Sequence, residues 1–402
     1  MHVQYRQPRG RTAILMAALS AVLAFAQSDS QIIQPLRTTP TEKLTVNLGF
    51  RDWSPATLAG NVLLAGNQTG RGGLFAVDTV SGKMKWSNIP SFSTGTASLS
   101  TPPAVAGGLV IVPYATAYPG AVVAVSLATG KEVWRGLDPV QGAAVAVNAG
   151  LAYIFAKNGT FYALDAATGR EKWKVSLSNR AGCASRPIVR NDVIYFTGNV
   201  NAIPDPTRPQ VNYLFALDAR TGQERWRYRA EAPYVHDGVC LHQPVVTADA
   251  IYATGERYLY SIDLLTGRDR WKPIEVRRQI RGETRTVEVF SLVDAGAVFI
   301  ANTPTLLIAF EKNSGRTAWE LAGQFTDKPM AVVGDVLYFQ GSPADKPAVS
   351  SSGTLHALDL NSHSILWSFS RPTAEANWSF GSITPTDRGL WVDSYKAIVK
   401  LQ

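Results

Sequence analysis

The stretch Gly159 to Trp173 reads Gly-Thr-Phe-Tyr-Ala-Leu-Asp-Ala-Ala-Thr-Gly-Arg-Glu-Lys-Trp, and its spacing recurs along the chain. In six of the seven copies an acidic or polar residue precedes Gly by four positions and Trp follows four positions later, and in the seventh copy His takes the place of Gly. The runs are Asp78-Gly82-Trp86, Ser126-Gly130-Trp134, Asp165-Gly169-Trp173, Asp218-Gly222-Trp226, Asp263-Gly267-Trp271, Glu311-Gly315-Trp319 and Asp359-His363-Trp367. A repeat of about forty to fifty residues that combines strands with turns indicates a β-propeller.

One repeat predicts four short antiparallel strands, which together form one propeller blade. Asn158-Gly159 favours a tight hairpin turn, and Asp165 with Gly169 favours a second turn, because Asp caps backbone N–H groups and Gly accepts positive φ. The predicted strands of this repeat are Ala143–Val147, Leu151–Ala156, Thr160–Asp165 and Glu171–Val175. A Trp ring buries about 200 Å² and can fill the gap between diverging blades. We therefore predict that all seven repeat Trp residues have a structural, docking role.

The two ends of the chain predict how the last blade is completed. Beyond Trp367 the repeat continues to a third strand, Ala397–Leu401, and Gln402 falls on the Asp position. Leu44–Phe50 precedes Trp53 as an outer strand precedes the next blade. We predict an all-β fold, an eight-bladed β-propeller of four-stranded antiparallel blades, with the last blade closed by an N-terminal strand. Seven blades is the alternative if the tail packs irregularly. Residues 44–402 are expected to form a single domain.

The N-terminus has the features of an export signal. Arg6, Arg9 and Arg11 precede the apolar run Ala13–Ala26, which ends in a small-x-small cleavage pattern. We predict a signal peptide over residues 1–26, with an uncleaved anchor as the alternative, and a flexible leader over residues 27–43. The mature chain is predicted to have no transmembrane segment. No Cys lies near the cleavage point, so we expect a protein that is periplasmic, on the cell surface or secreted, and not a lipoprotein.

The charge and the cysteines set further expectations. The formal net charge is +8 for the whole chain and falls to +5 once the three signal-peptide Arg are removed, which is too low to indicate a nucleic-acid partner. We expect a monomer. Cys183 and Cys240 each lie four residues before a Pro that opens a blade. On neighbouring inner strands they would be within reach of a disulfide, whereas at a position nearer the rim they would be too far apart.

A search for chemical motifs predicts neither a catalytic residue nor a metal site. His236 and His242 flank Asp237, but no third metal ligand is identifiable beside them. The sequence contains no phosphate-binding Gly-Lys-Ser/Thr loop, no Gly-x-Ser-x-Gly elbow and no Cys-x-x-Cys. The repeated Asp residues are interpreted as turn residues because a catalytic group should break the pattern.

Residues that break the repeat near the mouth of the central funnel are the candidate binding residues. They are Arg180, Arg186, His236, Asp237, His242, Gln243, Lys328, Asn377 and Trp378. Trp378 occupies none of the repeat positions. An aromatic ring among cationic side chains would suit a planar anionic ligand or a peptide; alternatively, these residues only line a wet channel.

The repeat Gly159 to Trp173 resembles that of pyrroloquinoline-quinone (PQQ) dehydrogenase propellers and of BamB-like propellers, a resemblance that covers residues 44–402. It implies eight blades and docking Trp residues. The quinone enzymes are longer and combine an adjacent Cys pair with calcium, and this chain lacks such a pair.

The sequence therefore favours an exported, non-enzymatic scaffold without a cofactor, which binds a protein or peptide partner in cell-envelope biogenesis, as BamB-like proteins do. The alternative is a PQQ-binding quinoprotein with calcium, either a sensor or a compact dehydrogenase. A lectin-like or hydrolytic propeller is a third hypothesis, against which the lack of clustered carboxylates argues.

Overall fold

Short antiparallel β-strands make up the described part of the chain. The computed structural model describes residues 33–47, 54–67, 73–88, 97–99, 101–116, 121–137, 144–156, 158–178, 181–200, 211–230, 241–255, 257–280, 283–344, 353–370, 380–387, 389–394 and 397–402. Within these ranges the structure has no helix with the length and apolar character needed to span a bilayer.

The strands are as follows in chain order. The first are β1 (Glu42–Asn47), β2 (Thr57–Ala59), β3 (Val62–Gly66), β4 (Leu74–Asp78), β5 (Met84–Asn88), β6 (Ala97–Ser98), β7 (Ala104–Ala106), β8 (Leu109–Thr116), β9 (Ala121–Ser126), β10 (Glu132–Gly136), β11 (Val145–Asn148) and β12 (Leu151–Phe155). They continue with β13 (Thr160–Asp165), β14 (Glu171–Ser176), β15 (Ala181–Ala184), β16 (Ile188–Arg190), β17 (Val193–Val200), β18 (Val211–Asp218), β19 (Glu224–Arg229), β20 (Val245–Val246), β21 (Ala250–Gly255), β22 (Tyr258–Asp263), β23 (Asp269–Glu275) and β24 (Arg277–Ile280). The remainder are β25 (Glu283–Thr286), β26 (Ser291–Ala295), β27 (Val298–Asn302), β28 (Leu306–Glu311), β29 (Thr317–Phe325), β30 (Ala331–Val333), β31 (Val336–Pro343), β32 (Thr354–Asp359), β33 (Ile365–Ser370), β34 (Phe380–Thr386), β35 (Gly389–Ser394) and β36 (Ala397–Leu401).

Strands that follow one another in the chain pair side by side as four-stranded units. The units are β2 to β5, β7 to β10, β11 to β14, β16 to β19, β20 to β23, β26 to β29 and β30 to β33. In the unit β11 to β14, Leu151 pairs with Asp165 and Thr160 with Ser176. The four strands predicted for this repeat are confirmed, and their bounds differ from the prediction by at most two residues.

Several units have an inner strand in two pieces. β6 and β15 pair with the far ends of β8 and β17, while β7 and β16 pair with the near ends. In the unit β30 to β33 the extra piece is the end of β29, where Gly323–Phe325 pairs with Gly341–Pro343 of β31. The chain thus passes without a break from one unit into the next, and the two units share one continuous sheet.

The hairpin of β24 and β25 is an insertion between the units β20 to β23 and β26 to β29. Its ion pairs are local: Arg277 pairs with Glu275, and Arg285 pairs with Glu283 at 2.7 Å. Arg278 donates to the carbonyl oxygen of Thr305 at 3.2 Å. The basic side chains of this insertion are therefore largely engaged by neighbouring carboxylates and backbone.

The sheet formed by β34, β35 and β36 takes its fourth strand from the other end of the chain. β1 pairs antiparallel with β36, from Glu42 opposite Leu401 to Asn47 opposite Ala397. The predicted closing strand, Leu44–Phe50, therefore begins two residues earlier in the structure, and residues 48–50 lie outside the described part. The backbones of Thr41 and Gln402 also exchange two hydrogen bonds, at 2.9 and 3.0 Å.

The core lies between neighbouring sheets. One cluster joins Ile111 and Val122 of one unit to Val145, Ile154 and Leu164 of the next, and all five side chains are fully buried. The middle strands face such clusters on both sides, which explains their continuous apolar runs in the sequence.

In five of the seven repeat turns an Asp accepts hydrogen bonds from the backbone of its own turn. Asp165 accepts hydrogen bonds at its Oδ1 from the backbone N–H of Ala167 and Thr168 and from the Thr168 hydroxyl, at 3.2, 3.0 and 2.9 Å. These bonds, led by that of the Thr168 hydroxyl, lower the pKa of the Asp165 carboxyl, and Lys172 adds to the effect. In the equivalent turn, Arg225 is the main cause that lowers the pKa of Asp218 to about 2. The turn carboxylates therefore hold backbone geometry.

Six of the seven repeat Trp residues lie against the turn of the following unit, and Trp367 lies against the N-terminal segment. The indole Nε1 of Trp134 donates to the carbonyl oxygen of Ala166 at 3.1 Å, and its ring covers Gly169. Gly169 has φ of +72°, and a Cβ built on it would lie 2.5 Å from Cε3 of Trp134. The same contact joins Trp86 to Gly130, Trp173 to Gly222, Trp226 to Gly267 and Trp271 to Gly315. In these five turns a Cβ would meet the ring above it, which favours glycine. In the last repeat His363 takes the same position with φ of +55°, and its ring lies 5.0 Å from that of Trp319.

The N-terminal segment (residues 33–47) occupies the positions that a turn and an outer strand occupy elsewhere. The carbonyl oxygen of Leu36 accepts the indole N–H of Trp367 at 2.7 Å, as Ala166 does for Trp134. The Leu44 side chain covers Gly82 in place of a Trp. Arg37 forms ion pairs with Asp335 and, at 2.7 Å, with Asp359. Residues 27–43, predicted to be a leader, thus include a part that contacts the last repeats.

The contact between Trp134 and Gly169 makes a testable prediction for stability. Gly169→Ala adds a Cβ where φ is left-handed and where the ring of Trp134 leaves no room, so we expect a loss of about 2–4 kcal/mol in unfolding free energy. Gly150 is the matched control, because its φ is +78° but no atom lies within 4 Å of its built Cβ. Gly150→Ala should cost only about 1 kcal/mol. Equal losses in chemical denaturation of the two variants would show that the ring does not set the cost.

Candidate functional site

Inner strands from many units meet at one cavity of about 720 Å³, here called the inner-strand cavity. Its lining comes from residues before or within β2, β7, β11, β16, β20, β26 and β30: Pro55, Pro102, Ala146–Asn148, Arg186–Val189, His242, Gln243, Phe290–Leu292, Asp327, Pro329 and Met330. Neighbouring inner strands also contact one another, from β7 through β11 to β16 and from β20 through β26, β30 and β34 to β2. The inner strands of these units therefore converge on the cavity.

Local sequence explains why these strand starts can form an open wall. Pro55, Pro102, Pro187 and Pro329 line the cavity, and a Pro at a strand edge leaves no unpaired N–H. A Ser shortly before the Pro accepts a backbone N–H of the neighbouring strand through its hydroxyl oxygen. The hydroxyl oxygen of Ser185 accepts the backbone N–H of Thr197 at 2.9 Å, and Ser54 does the same for Gly66 at 3.0 Å.

Arg186 is the most tightly positioned charged side chain of the cavity wall. Its backbone N–H donates to Oε1 of Gln243 at 2.9 Å, and its carbonyl oxygen accepts from Nε2 of Gln243 at 3.1 Å. Its Nε donates to the carbonyl oxygen of Val145 in β11 at 3.1 Å. Burial lowers the pKa of the guanidinium, although an Arg remains charged at neutral pH.

His242 lies beside this pair but adds no permanent charge. Its backbone N–H donates to the carbonyl oxygen of Thr254 at 2.8 Å. Burial lowers the pKa of the imidazole, and the carboxylate of Glu288 only partly opposes this shift. The imidazole is therefore neutral at pH 7, when it can both donate and accept a hydrogen bond.

Lys328 stands between two lining residues, Asp327 and Pro329, and its Nζ lies 3.8 Å from a carboxylate oxygen of Asp327. Both side chains of this pair are well exposed. The charge of Lys328 also acts on the buried carboxyl of Asp393, but burial dominates and raises the pKa of Asp393 to about 6. Asp393 accepts hydrogen bonds from the backbone N–H and the hydroxyl of Ser382.

The structure brings together four of the residues predicted from sequence. Arg186, His242 and Gln243 share one wall, and Lys328 lies beside the cavity. The other predicted residues, Arg180, His236, Asp237, Asn377 and Trp378, lie outside the described part of the chain. So does Cys240, and although Cys183 belongs to β15, its side chain is not described, so the predicted disulfide stays a prediction.

Sequence reasoning missed Asp393, which breaks the pattern in a way that a repeat alignment would detect. By strand register its position is equivalent to Phe155, Thr197, Asn302 and Gln340 in other units. The equivalent residues in the other units are apolar or uncharged, so a carboxylate at this buried position is a departure from the repeat. Phe290 and Met330 were missed because apolar lining residues carry no chemical signature in sequence.

The chemistry offered by the cavity is that of binding. The polar side chains of the lining are one guanidinium, one neutral imidazole, two amides, one hydroxyl and one carboxylate, and the rest are apolar or Pro side chains. Such a mixture is typical of ligand pockets. In the ranges that the structure describes, no group of three or more His, Cys, Asp or Glu side chains is placed to hold a metal ion.

Comparisons with solved structures give the same architecture. The crystal structure of BamB from Moraxella catarrhalis superposes with a TM-score of 0.64 at 16% identity, over 90% of this chain and 100% of that one. The computationally designed Ika8 protein gives 0.63 at 12% identity, over 90% and 99%. A europium-containing methanol dehydrogenase gives 0.59 at 14% identity, over 88% and 84%. These likenesses show the β-propeller fold.

Sequence comparisons point to one branch of this fold. The outer membrane protein assembly factor BamB of Moranella endobia (strain PCIT) is 27% identical over 212 residues, which are 49% of this chain. The matched segment spans only 48% of that relative. The model of the family described as outer membrane protein assembly factor BamB matches residues 37–138 and 119–369. Because these matches cover most of the chain, the protein belongs to the BamB family of PQQ-like repeat β-propellers.

Proposed function

We propose that this protein is a non-enzymatic scaffold of outer membrane protein assembly that binds a protein or peptide partner at the face carrying the inner-strand cavity. The observation that carries the proposal is the cavity wall, where Gln243 holds Arg186 by two hydrogen bonds among apolar side chains. Such a wall is built to bind, because its polar groups are fixed by backbone contacts. The family supports the same role, since it takes its name from an outer membrane protein assembly factor.

The architecture proposed for this scaffold is an eight-bladed ring whose last blade is completed by β1. The pairing of β1 with β36, the contact of β34 with β2 and the Leu44 side chain over Gly82 support closure. In this ring the repeat Trp residues dock each blade on the next, and Leu36 provides the docking carbonyl for Trp367. The addition of β1 covers the edge of β36 at which another chain would otherwise add a strand.

The proposed location is the periplasm. Arg6, Arg9 and Arg11 before the apolar run Ala13–Ala26 support export, and the described role of the family is in the assembly of outer membrane proteins. We propose that the mature protein is a monomer without a lipid anchor. Arg180, His236, Asp237, Asn377 and Trp378, which lie outside the described part of the chain, remain proposed partner-binding residues on the ground of sequence alone.

A quinoprotein is the second candidate, favoured by the fixed Arg186 and by the fold shared with a methanol dehydrogenase. In that case Arg186 and Lys328 would bind the carboxylates of PQQ. Of the described residues that line the cavity, only Arg186 carries a permanent positive charge, against three carboxylates on PQQ. This imbalance of charge favours the scaffold.

Ring closure is tested by two matched Trp substitutions. Trp367→Phe removes the hydrogen bond to Leu36, and Trp134→Phe removes the equivalent bond to Ala166. Each should lower the unfolding free energy by about 1 kcal/mol, because both indoles are at least nine-tenths buried. Chemical denaturation measures both values. If Trp134→Phe lowers the unfolding free energy and Trp367→Phe does not, closure by the N-terminal segment is contradicted.

The absence of a cofactor is tested by calorimetric titration of the purified mature chain with PQQ, with and without calcium. We expect no saturable heat. Saturable binding at micromolar PQQ that is lost in Arg186→Gln would support the quinoprotein and overturn the scaffold.

The binding face is tested by photocrosslinking in intact cells. A photoreactive amino acid at Lys328, beside the cavity, should give a discrete product with a component of outer membrane protein assembly. The control position is Val80, which is 61% exposed in a repeat turn. The same product from both positions, or none from Lys328, would argue against partner binding at this face.

A further inference from the structure

The guanidinium of Arg186 is fixed before any ligand arrives. Gln243 ties its backbone to the neighbouring unit, and Val145 accepts its Nε–H at 3.1 Å. Because both the backbone and the Nε of Arg186 are held, the two terminal guanidinium nitrogens form a fork of fixed direction on the cavity wall. Fixing such a side chain in advance reduces the entropy lost on binding.

No carboxylate neutralises this fork within the described ranges of the chain. Many other Arg residues of the described ranges form an ion pair with an Asp or Glu side chain, but Arg186 forms none there. Burial is the cause that acts on its pKa, and no neighbouring charge opposes it. A partly desolvated cation without a counter-charge costs free energy, and an anionic ligand would remove that cost.

The rest of the wall limits the kind of anion. A planar fork matches a carboxylate through two parallel hydrogen bonds. His242 is neutral at pH 7, and the other charged side chain of the lining is Asp327, which repels a second negative charge. Val189, Leu292 and Met330 supply apolar surface. These features favour a single carboxylate on an apolar body over a phosphate.

We propose that the inner-strand cavity binds the free C-terminal carboxylate of a peptide with apolar terminal residues, and that Arg186 pairs with that carboxylate. This inference rests on the proposed scaffold function, which it deepens by naming the part of the partner that is recognised. A cavity of about 720 Å³ is within the range of sites that enclose a ligand of several hundred daltons, which corresponds to the last few residues of a chain.

The test compares two forms of one peptide. Fluorescein-Gly-Gly-Leu-Val with a free C-terminus and the same peptide as its C-terminal amide are titrated with the full mature protein, and binding is followed by fluorescence anisotropy. We expect the free acid to bind at least tenfold more tightly than the amide. Arg186→Gln should reduce the affinity for the acid to that of the amide and leave the amide unchanged.

The control variant is Arg190→Gln, because Arg190 lies at the other end of β16 and outside the cavity lining. It should preserve the tenfold preference. Arg186→Lys keeps the positive charge but not the fork, so it should retain part of the preference and serves if Arg186→Gln does not fold. Equal affinity for acid and amide, or an unchanged preference in Arg186→Gln, would overturn the proposal.

Competition with hexanoate distinguishes a peptide terminus from a small free carboxylate. Displacement of the peptide only at concentrations far above its own supports the peptide terminus. Displacement at comparable concentrations would assign the site to small apolar carboxylates and overturn the peptide. Photocrosslinking from Lys328 does not depend on the carboxylate, so a crosslinked partner without acid preference would refute this inference alone and leave the scaffold function standing.

Discussion

The packing of a Trp ring on the turn glycine of the following sheet is the contact on which the rest of the structure depends. A four-stranded sheet with two apolar faces cannot be stable alone and must be covered by its neighbours. The ring of Trp134 over Gly169 sets how closely two sheets approach at their outer ends. Asp165 then has to hold the turn in its left-handed path. The most repeated carboxylates of the chain accordingly each accept hydrogen bonds from the backbone of their own turn.

The inner ends of the sheets are joined by polar contacts instead. Asn302 donates through Nδ2 to the carbonyl oxygen of Thr326 at 2.6 Å, and Gln340 donates to that of Gly381 at 2.8 Å, each reaching the next inner segment. Each amide thus links neighbouring inner strands through its NH2 group, while its own carbonyl oxygen is buried without a hydrogen-bond partner. On the wall of the inner-strand cavity, the guanidinium of Arg186 takes its direction from its own contacts with Gln243 and Val145.

The two ends of the chain meet in one sheet, where the N-terminal strand β1 pairs with β36. The N-terminal segment supplies there the contacts that a turn and an outer strand supply in other repeats. Leu36 supplies the carbonyl that a turn supplies elsewhere, and Leu44 takes the place of a Trp. Arg37 adds ion pairs to Asp335 and Asp359, where Ser362 and then Arg37 lower the pKa of Asp359 to about 2. The same packing rule therefore operates where the sequence motif is missing, because the rule concerns surfaces and hydrogen bonds and not particular residues.

The sequence by itself determined the strands, the turns and the repeating sheet, because alternating apolar residues and the Asp-to-Gly turn act over a few neighbouring positions. It also indicated Arg186, His242, Gln243 and Lys328, which stand out as departures from a repeat. Only the tertiary structure decided which of these groups meet: Gln243 clamps a backbone 57 residues away, and burial leaves His242 neutral. Asp393 and the apolar lining were not indicated, since desolvation and cavity shape arise from the packing of distant strands. Turns and strands depend on residues that are close in the sequence, whereas the charge state and shape of a site depend on how distant strands pack around it.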